Sequence, residues 1–404
     1  MKAIENTGPK FQQTIFVLLA LVMVGMMSVS CSNSEADQKS DIIKEDGKVI
    51  NPDRGLWQDQ QELPVEFELV DTIDLSQIEE PIIGGIAYLS FDDEDNMYFF
   101  DRRQMMMISL DKEGNLRWAK GQEGKGPGDF ENPFGMAIHN DKIYIANIQG
   151  SRLDEFDLDG NFIKTYNIPE EIQFASLVGI RGNGDLMLSA PKWGTIGAEI
   201  NILELSDSLH LKTHFTIVET EDEKYERASS RGDISMYEDY FTYSFSTSNG
   251  HRFYDYDSTL TKEVSRAFDG VLGPGVYQTD NSVSIYSLGN VDAPVFLDGG
   301  YYLVNVRYPT NIDDPNEYAK KASTGDTESP VYEEFIDLYN TEGELLYVYD
   351  NTEEVEAIGN LSVRDSEGYY YSTFSNDLLI KKYRVDVKYQ SAGEGVEEPP
   401  VTMD

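Results

Sequence analysis

Cysteine is almost absent from this chain, because its 404 residues include only Cys31. A single thiol cannot form an intramolecular disulfide, and it cannot supply the several thiolates of a cysteine-rich zinc site. The stability of the fold must therefore come from a hydrophobic core.

Basic residues are also scarce. The chain has 32 Lys and Arg against 73 Asp and Glu, which gives a formal net charge of −41 at pH 7. Phosphate backbones are bound by Lys and Arg side chains that displace counterions. We therefore expect no nucleic-acid partner, and the charge also disfavours contact of the folded part with anionic lipids.

The cysteine follows an apolar run at 14–27 that is preceded by Lys2 and Lys10 and ends in Ser28-Val29-Ser30-Cys31. The run is shorter than the roughly 20 residues that a membrane-spanning helix needs. A weakly basic start, an apolar centre and small residues before a cysteine are typical of a bacterial lipoprotein signal. The pattern predicts a signal peptide at 1–30, cleavage before Cys31 and lipidation of its thiol; the alternative is an uncleaved anchor helix.

The lipid would place the protein in the cell envelope, attached to a membrane through the lipid alone. We expect the outer membrane rather than the inner one, with the protein either periplasmic or surface-exposed. The mature chain begins with a polar stretch at 31–62 that has too few apolar residues to order itself. The sequence thus predicts a disordered tether at 31–62, a folded domain at 63–390 and a disordered tail at 391–404.

The folded part contains an internal repeat. Asp111-Lys-Glu-Gly114-Asn115-Leu116 is followed, 46 residues later, by Asp157-Leu-Asp-Gly160-Asn161-Phe162, and each piece joins two alternating strands as a glycine turn does. A second pattern, in which a short strand, a polar turn and an aromatic strand follow one another, occurs six times. Four short strands in about 40 to 50 residues are the size of a propeller blade. The sequence predicts an all-β fold, a six-bladed β-propeller of four-stranded antiparallel blades.

The sixth unit ends at its third strand. The alternating segment 65–75 is predicted to supply the missing fourth strand and to join the last blade to the first, because an open ring would expose strand edges. The repeat spacing also indicates an insertion at 309–330 and an extended loop at 270–289.

One blade carries a specific resemblance. Gly124-Lys-Gly126-Pro127-Gly128-Asp-Phe130, then Ile143-Tyr144-Ile145-Ala146-Asn147, Arg152-Leu153, Phe156-Asp157 and Gly160, resemble an NHL repeat. The chain is similar to NHL-repeat-like six-bladed β-propeller lipoproteins of Gram-negative bacteria, over about 64–387 in fold and over one blade in motif. An NHL-type lyase would imply zinc-binding histidines around the channel, and His139, His210, His214 and His251 match no such set.

Several other sites are disfavoured by the sequence. The glycine-rich stretch 121–128 lacks the Gly-Lys-Ser/Thr end of a phosphate loop, and it is interpreted as a connection between blades. Acidic clusters at 92–95, 219–223 and 313–314 lack the spacing of a calcium loop and are interpreted as solvated turns. The 25 tyrosines are expected to pack between blades rather than to bind ligand. No Gly-x-Ser-x-Gly elbow is present.

The remaining candidate site is the mouth of the channel, where the inner strands begin. Asp233, Asp292 and Asn360 are the candidate ligand-binding residues there, since propeller lactonases, which the arrangement resembles, hold a divalent metal with carboxylate and amide ligands. No catalytic residue and no cofactor are predicted, although calcium stays open.

We therefore expect a non-catalytic, lipid-anchored binding or scaffold module of the envelope, whose ligand is a protein, a peptide or a glycan. Two alternatives remain: a metal-dependent hydrolase or lyase with its site in the channel, and a glycan-associated surface lipoprotein.

Overall fold

The structure is a computed structural model that describes residues 42–60, 62–147, 151–172, 174–220 and 229–388. The predicted signal peptide, Cys31 and the predicted tail at 391–404 lie outside these residues. Within the described part, no helix is both long enough and apolar enough to cross a bilayer.

Six antiparallel sheets form the blades of a propeller, which confirms the predicted fold class. Blades 1 to 3, each given from its inner strand outwards, are β4 (Ala87–Phe91), β5 (Met97–Asp101), β6 (Met106–Leu110) and β7 (Leu116–Lys120); β8 (Pro133–His139), β9 (Lys142–Asn147), β10 (Arg152–Asp157) and β11 (Phe162–Asn167); and β12 (Ser176–Ile180), β13 (Asp185–Pro191), β14 (Thr195–Leu205) and β15 (Leu209–Thr220).

Blades 4 to 6 follow the same plan with additions. They comprise β17 (Ile234–Met236), β18 (Tyr240–Ser244), β19 (Gly250–Asp255) and β20 (Leu260–Arg266); β23 (Asn290–Val291) and β24 (Val295–Leu297), which both pair with β25 (Tyr301–Pro309), then β26 (Tyr332–Asn340) and β27 (Leu345–Tyr349); and β28 (Leu361–Arg364), β29 (Tyr370–Phe374), β30 (Leu379–Val387) and β3 (Val65–Asp74). The short strand β16 (Ser229–Ser230) pairs in parallel with β14.

The repeated turn that identified the blades is the hairpin between the third and fourth strands. In blade 1 the Asp111 carboxylate accepts hydrogen bonds from the backbone N–H groups of Glu113 (3.0 Å) and Asn115 (2.8 Å). In blade 2 the Asp157 carboxylate accepts one from Asn161 N–H (2.7 Å). The aspartate thus satisfies backbone donors in the turn, which is why Asp, Gly and Asn recur at this spacing.

Aromatic strands are buried on both sides because each blade lies between two others. In β5, Met97 and Phe99 pack against blade 6, whereas Tyr98 and Phe100 face blade 2. Each pair of adjacent blades has its own cluster of buried apolar side chains, and the pair formed by blades 6 and 1 is included. The prediction that tyrosines pack between blades is confirmed for Tyr302, which is fully buried.

The predicted closing strand is confirmed. β3 pairs antiparallel with β30 from Val65, opposite Val387, to Asp74, opposite Leu379, with one bulge between Leu69 and Asp71. A single 3-10 turn at Leu75–Gln77 follows and leads into blade 1. The first and last parts of the propeller are therefore held together by a ladder of backbone hydrogen bonds.

The structure differs from the predicted tether at 42–60. β1 (Ile43–Glu45) and β2 (Lys48–Asn51) form a hairpin, and β2 adds in parallel to β20 at the outer edge of blade 4. We call residues 42–58 the N-terminal strap. Composition suggested disorder because the strap buries few apolar side chains, but its backbone is paired, so the disordered interpretation is wrong for this part; residues 31–41 lie outside the described residues.

The strap continues from blade 4 to blade 5. Leu56 N–H donates to the Leu345 carbonyl (3.0 Å), and Trp57 N–H donates to the Leu346 carbonyl (2.7 Å). The buried side chain of Asn51 donates to the carbonyls of Gly343 (2.9 Å) and Ser265 (3.2 Å) and accepts from Leu345 N–H (2.8 Å). One amide side chain therefore joins the outer strands of two blades.

The two predicted insertions pack on each other. The hairpin of β21 (Pro274–Gln278) and β22 (Val283–Ser287) lies in the loop at 270–289, and helix α1 (Pro315–Ser323) lies in the insertion at 309–330. Val276 N–H donates to Asn316 Oδ1 (2.9 Å), and Val276 packs on Ile196 of blade 3. A second helix, α2 (Thr352–Ile358), lies between β27 and β28 and packs into the cluster shared by blades 5 and 6.

The glycine-rich stretch 121–128 connects β7 to β8, as predicted. Arg152 holds it by donating to the carbonyls of Lys125 (3.1 Å), Gly126 (3.3 Å) and Asp129 (2.7 Å). Gly128 has φ +81°, and a Cβ there would lie 3.1 Å from Phe162 Cβ. The glycines therefore serve a tight turn.

Removal of the closing strand should open the ring. A chain that begins at Pro81 lacks β3 and the strap, so we expect it to lose cooperative thermal unfolding or to aggregate through the exposed edge of β30. A chain that begins at Glu62 keeps β3, and we expect it to unfold cooperatively at a lower temperature than the whole protein. Calorimetry on the three chains measures this, and identical transitions would contradict the closure.

Asn51→Ala tests the strap. It leaves buried backbone groups of blades 4 and 5 without a partner, so we expect the free energy of unfolding to fall by about 2–4 kcal/mol. Urea unfolding measures the change. Asn281→Ala, in the exposed tip of the β21–β22 hairpin, should stay within about 0.5 kcal/mol of wild type, and an equal loss in both variants would argue against the bridging role of Asn51.

Candidate functional site

The first residues of the six inner strands meet at one end of the ring. In each antiparallel blade the start of the inner strand pairs with the end of the second strand, as Ser176 does with Ser189 and Pro133 with Asn147. The connections between successive blades, and both insertions, lie at this same end. We call it the mouth face.

A cavity of about 340 Å³ opens on the mouth face beside blades 4 and 5. It is lined by the segment before β17, by Pro274 and Ser287 of the inserted hairpin and by β23. The polar and charged side chains in its wall are Ser230, Arg231, Asp233, Ser246, Ser287, Asn290 and Asp292. Its volume is at the lower end of the range for small-molecule sites in proteins.

Two of the three predicted site residues therefore share one cavity, and the third does not. Asn360 lines a separate crevice of about 10 Å³ together with Ala293 and Val295. The reason is α2, which occupies the connection before β28 and ends at Gly359, so that Asn360 follows a helix rather than a simple turn. Asn360 therefore lies at the start of an inner strand, as predicted for the site residues, but in a different crevice from Asp233 and Asp292.

Asp233 connects blades 4 and 5. Its Oδ1 accepts from Ile234 N–H (3.0 Å) and its Oδ2 accepts from Ala293 N–H (3.0 Å). Its carbonyl accepts from Ser244 N–H (2.8 Å). The carboxylate is exposed to solvent, so it is held in a fixed position while it stays accessible to a ligand.

Asp292 is the half-buried partner in the same wall. Its Oδ1 accepts from Asn290 Nδ2 (2.6 Å), and its carbonyl accepts from Ser244 Oγ (2.9 Å). Burial raises the pKa of Asp292 to about 8, and the negative charge of Asp233 adds to the rise. The cavity therefore holds one carboxylate and, near neutral pH, one carboxyl group that retains its proton and can donate it in a hydrogen bond.

Arg231 is a functional candidate that the sequence analysis missed. Its Nη1 donates to the Ser189 carbonyl and its Nη2 donates to Ser176 Oγ (2.8 Å), so the guanidinium is docked on the two inner strands of blade 3. A signal existed in the sequence, because Ser229-Ser230-Arg231-Gly232-Asp233 places an arginine and an aspartate on a small-residue segment directly before an inner strand.

A glutamate and a tyrosine hold the segment that carries Arg231 and Asp233 through hydrogen bonds. Tyr243 Oη accepts from Gly232 N–H (2.9 Å) and donates to Glu219 Oε1 (2.5 Å). Glu219 also accepts from the backbone N–H groups of Ser246 (2.9 Å) and Thr247 (3.2 Å). The solvated-turn interpretation is therefore wrong for Glu219, which organises the cavity wall; residues 221–223 lie outside the described residues.

The histidines have separate neighbours. His214 Nδ1 lies 2.9 Å from Asn201 Oδ1, whereas His210 Nε2 lies 2.9 Å from Ser208 Oγ. His251 is fully buried next to Tyr302. Within the described residues, no group of three or more His, Cys, Asp or Glu side chains is placed to hold a metal ion.

Comparisons with known proteins agree on the fold. Residues 38–183 match the family DUF5128, described as a 6-bladed beta-propeller, and no curated protein matches the chain. Among solved structures, the chain is similar to a DUF4221 family member from Bacteroides vulgatus (13% identity, TM-score 0.52, covering 80% of this chain and 99% of that one). A Bacteroides fragilis protein (10%, 0.50, 84% and 99%) and virginiamycin B lyase from Staphylococcus aureus (10%, 0.45, 79% and 99%) are also similar. At these identities the likeness concerns the fold alone.

The raised pKa of Asp292 has a measurable consequence. In the folded protein the Asp292 carboxyl group keeps its proton up to about pH 8, whereas in the unfolded chain an aspartate loses it near pH 3.9. Asp292 therefore makes the free energy of unfolding fall as the pH rises between these two values. Asp292→Asn removes that dependence. Its free energy of unfolding, relative to wild type, should therefore increase with pH from about 4 to 8.

Urea unfolding at several pH values measures the difference. Asp239→Asn, in the turn at the other end of β17, is the matched control for the loss of a carboxylate on the same blade. An equal pH dependence in both variants would contradict the assignment.

Proposed function

We propose that this protein is a lipid-anchored binding module of the cell envelope, and that its ligand site is the cavity at the mouth face. The observation that carries the proposal is that three charged side chains lie in the wall of one cavity, at the place where blades 3, 4 and 5 adjoin. Arg231 is docked on blade 3, Asp233 precedes β17 of blade 4, and Asp292 follows β23 of blade 5. The resemblance of blade 2 to an NHL repeat supports the same class of protein.

The chemistry of the wall favours binding over hydrolysis. Both oxygens of Asp233 accept backbone hydrogen bonds, and the oxygen of Asp292 that Asn290 contacts is engaged as well. A general base needs a carboxylate that can take a proton in the transition state, whereas Asp233 is held by backbone hydrogen bonds and Asp292 already carries a proton near neutral pH. Their remaining lone pairs suit a ligand with hydrogen-bond donors.

The metal-dependent alternative depends on the same two carboxylates. A cation between Asp233 and Asp292 would favour the ionised form of Asp292, and calcium prefers oxygen ligands. Elemental analysis of the purified protein, with calcium titration of wild type and of the Asp233→Ala, Asp292→Ala double variant, separates the two functions. Stoichiometric metal that disappears in the variant would favour the alternative.

The anchor is tested at Cys31. Wild type should partition into the detergent phase, since a lipidated cysteine that carries two or more acyl chains attaches firmly to a membrane. The Cys31 thiol is the only acceptor for lipid in the chain, so Cys31→Ser should abolish this partitioning. Phase separation in a cloud-point detergent measures this. Ser32→Ala is the matched control and should partition like wild type. Unchanged partitioning of Cys31→Ser would refute the lipoprotein assignment.

The cavity is tested separately with defined probes. Neutral oligosaccharides, amino acids and dipeptides are titrated calorimetrically into wild type and into Asp233→Asn. The proposal expects at least one class to bind and this variant to weaken that binding, whereas Asp239→Asn should leave it unchanged. Binding that ignores Asp233→Asn, or no binding by any class, would contradict the site.

A further inference from the structure

The most exposed large apolar side chains of the described residues are all on the mouth face. They are Ile82 (75% exposed), Trp193 (64%), Phe174 (60%) and Val331 (58%). Each stands in a connection at this end of the ring: before β4, between β13 and β14, before β12 and before β26. Single exposed apolar residues are common on protein surfaces, so the position of these residues relative to the cavity decides whether they matter.

The two aromatic residues flank the segment that lines the cavity. Phe174 precedes by two positions Ser176, whose hydroxyl accepts the hydrogen bond from Arg231 (2.8 Å). Trp193 precedes by two positions Thr195, which pairs with Ser229 in the parallel β14–β16 ladder. The backbone of both residues therefore lies near the Arg231 side of the cavity, on the part of the mouth face formed by blade 3.

The arrangement suits one kind of ligand. A protein partner needs a contiguous apolar core of several hundred Å², whereas here single rings are separated by a polar, carboxylate-bearing cavity. A pyranose presents a C–H face that stacks on an aromatic ring and a rim of hydroxyl groups that hydrogen-bond to carboxylate, amide and guanidinium groups. The net charge of −41 disfavours an anionic ligand.

We propose that the mouth face binds a neutral oligosaccharide, with one sugar ring stacked on Trp193 or Phe174 and a neighbouring sugar in the cavity. This inference rests on the proposed function, since it names the ligand class of the same site. In the cavity, Asp233 accepts from sugar hydroxyls and the protonated Asp292 donates to one. The aromatic rings add to the apolar contact that Pro274 and Val291 offer in the cavity wall.

The test titrates di- to hexasaccharides of neutral hexoses into the purified protein, by calorimetry and by tryptophan fluorescence. We expect at least one of Trp193→Ala and Phe174→Ala to weaken binding about tenfold, the effect of losing one stacked ring. Trp193→Phe should keep affinity within about threefold, because a ring remains, while the fluorescence change disappears. Ile163→Ala, an exposed apolar residue on β11, is the matched control and should bind like wild type.

Each outcome decides one point. An oligosaccharide that binds equally to wild type, Trp193→Ala and Phe174→Ala overturns the inference. The protein could instead bind amino acids or dipeptides but no oligosaccharide, with weaker binding in Asp233→Asn. That result overturns the glycan inference and leaves the binding function standing. No binding by any class overturns both. Melting curves of the variants verify that the exposed substitutions leave the fold intact.

Discussion

Every blade of this protein depends on the blades beside it, because its strands are apolar on both faces. In β5 the alternate residues Phe99 and Phe100 are each fully buried, one against blade 6 and the other against blade 2. A sheet of this kind exposes an apolar face unless both neighbours are present, so the ring is stable only when it closes. The β3–β30 ladder supplies that closure with backbone hydrogen bonds, whose pairing does not depend on the side chains.

The strap adds backbone pairing at the outer edge of blade 4, as β3 does at the outer edge of blade 6. Outer strands have one unpaired edge, and the exposed edge of a strand is a template for aggregation. Residues 48–51 cover the edge of β20, and the side chain of Asn51 then crosses to blade 5. The strap thus contacts blades 4 and 5, and β3, which follows it in the chain, completes blade 6. The N-terminal part of the folded region therefore holds three consecutive blades together.

The sequence predicted the features that follow from periodicity and missed those that follow from single contacts. The six repeats, the closing strand and both insertions all leave a pattern in the order of apolar residues and turns. The strap does not, because it is held mainly by backbone pairing and by Val49 and Asn51, and a polar composition resembles that of a disordered segment. Arg231 was missed for a similar reason: its partners are the Ser189 carbonyl and Ser176 Oγ, and contacts between blades have no fixed spacing in the sequence.

The position of the cavity follows from the same closure. The spaces between adjacent blades are filled by six clusters of buried apolar side chains, and the connections between blades, which line the cavity, all lie on the mouth face. Arg231 and Asp233 lie on the segment between blades 3 and 4, and Asp292 follows β23 of blade 5, so their spacing is set by the angles between blades 3, 4 and 5. Those angles are fixed by the packing of all six clusters. The strap joins blades 4 and 5 at their outer edges. It therefore helps to fix the angle between the two blades whose connections line the cavity.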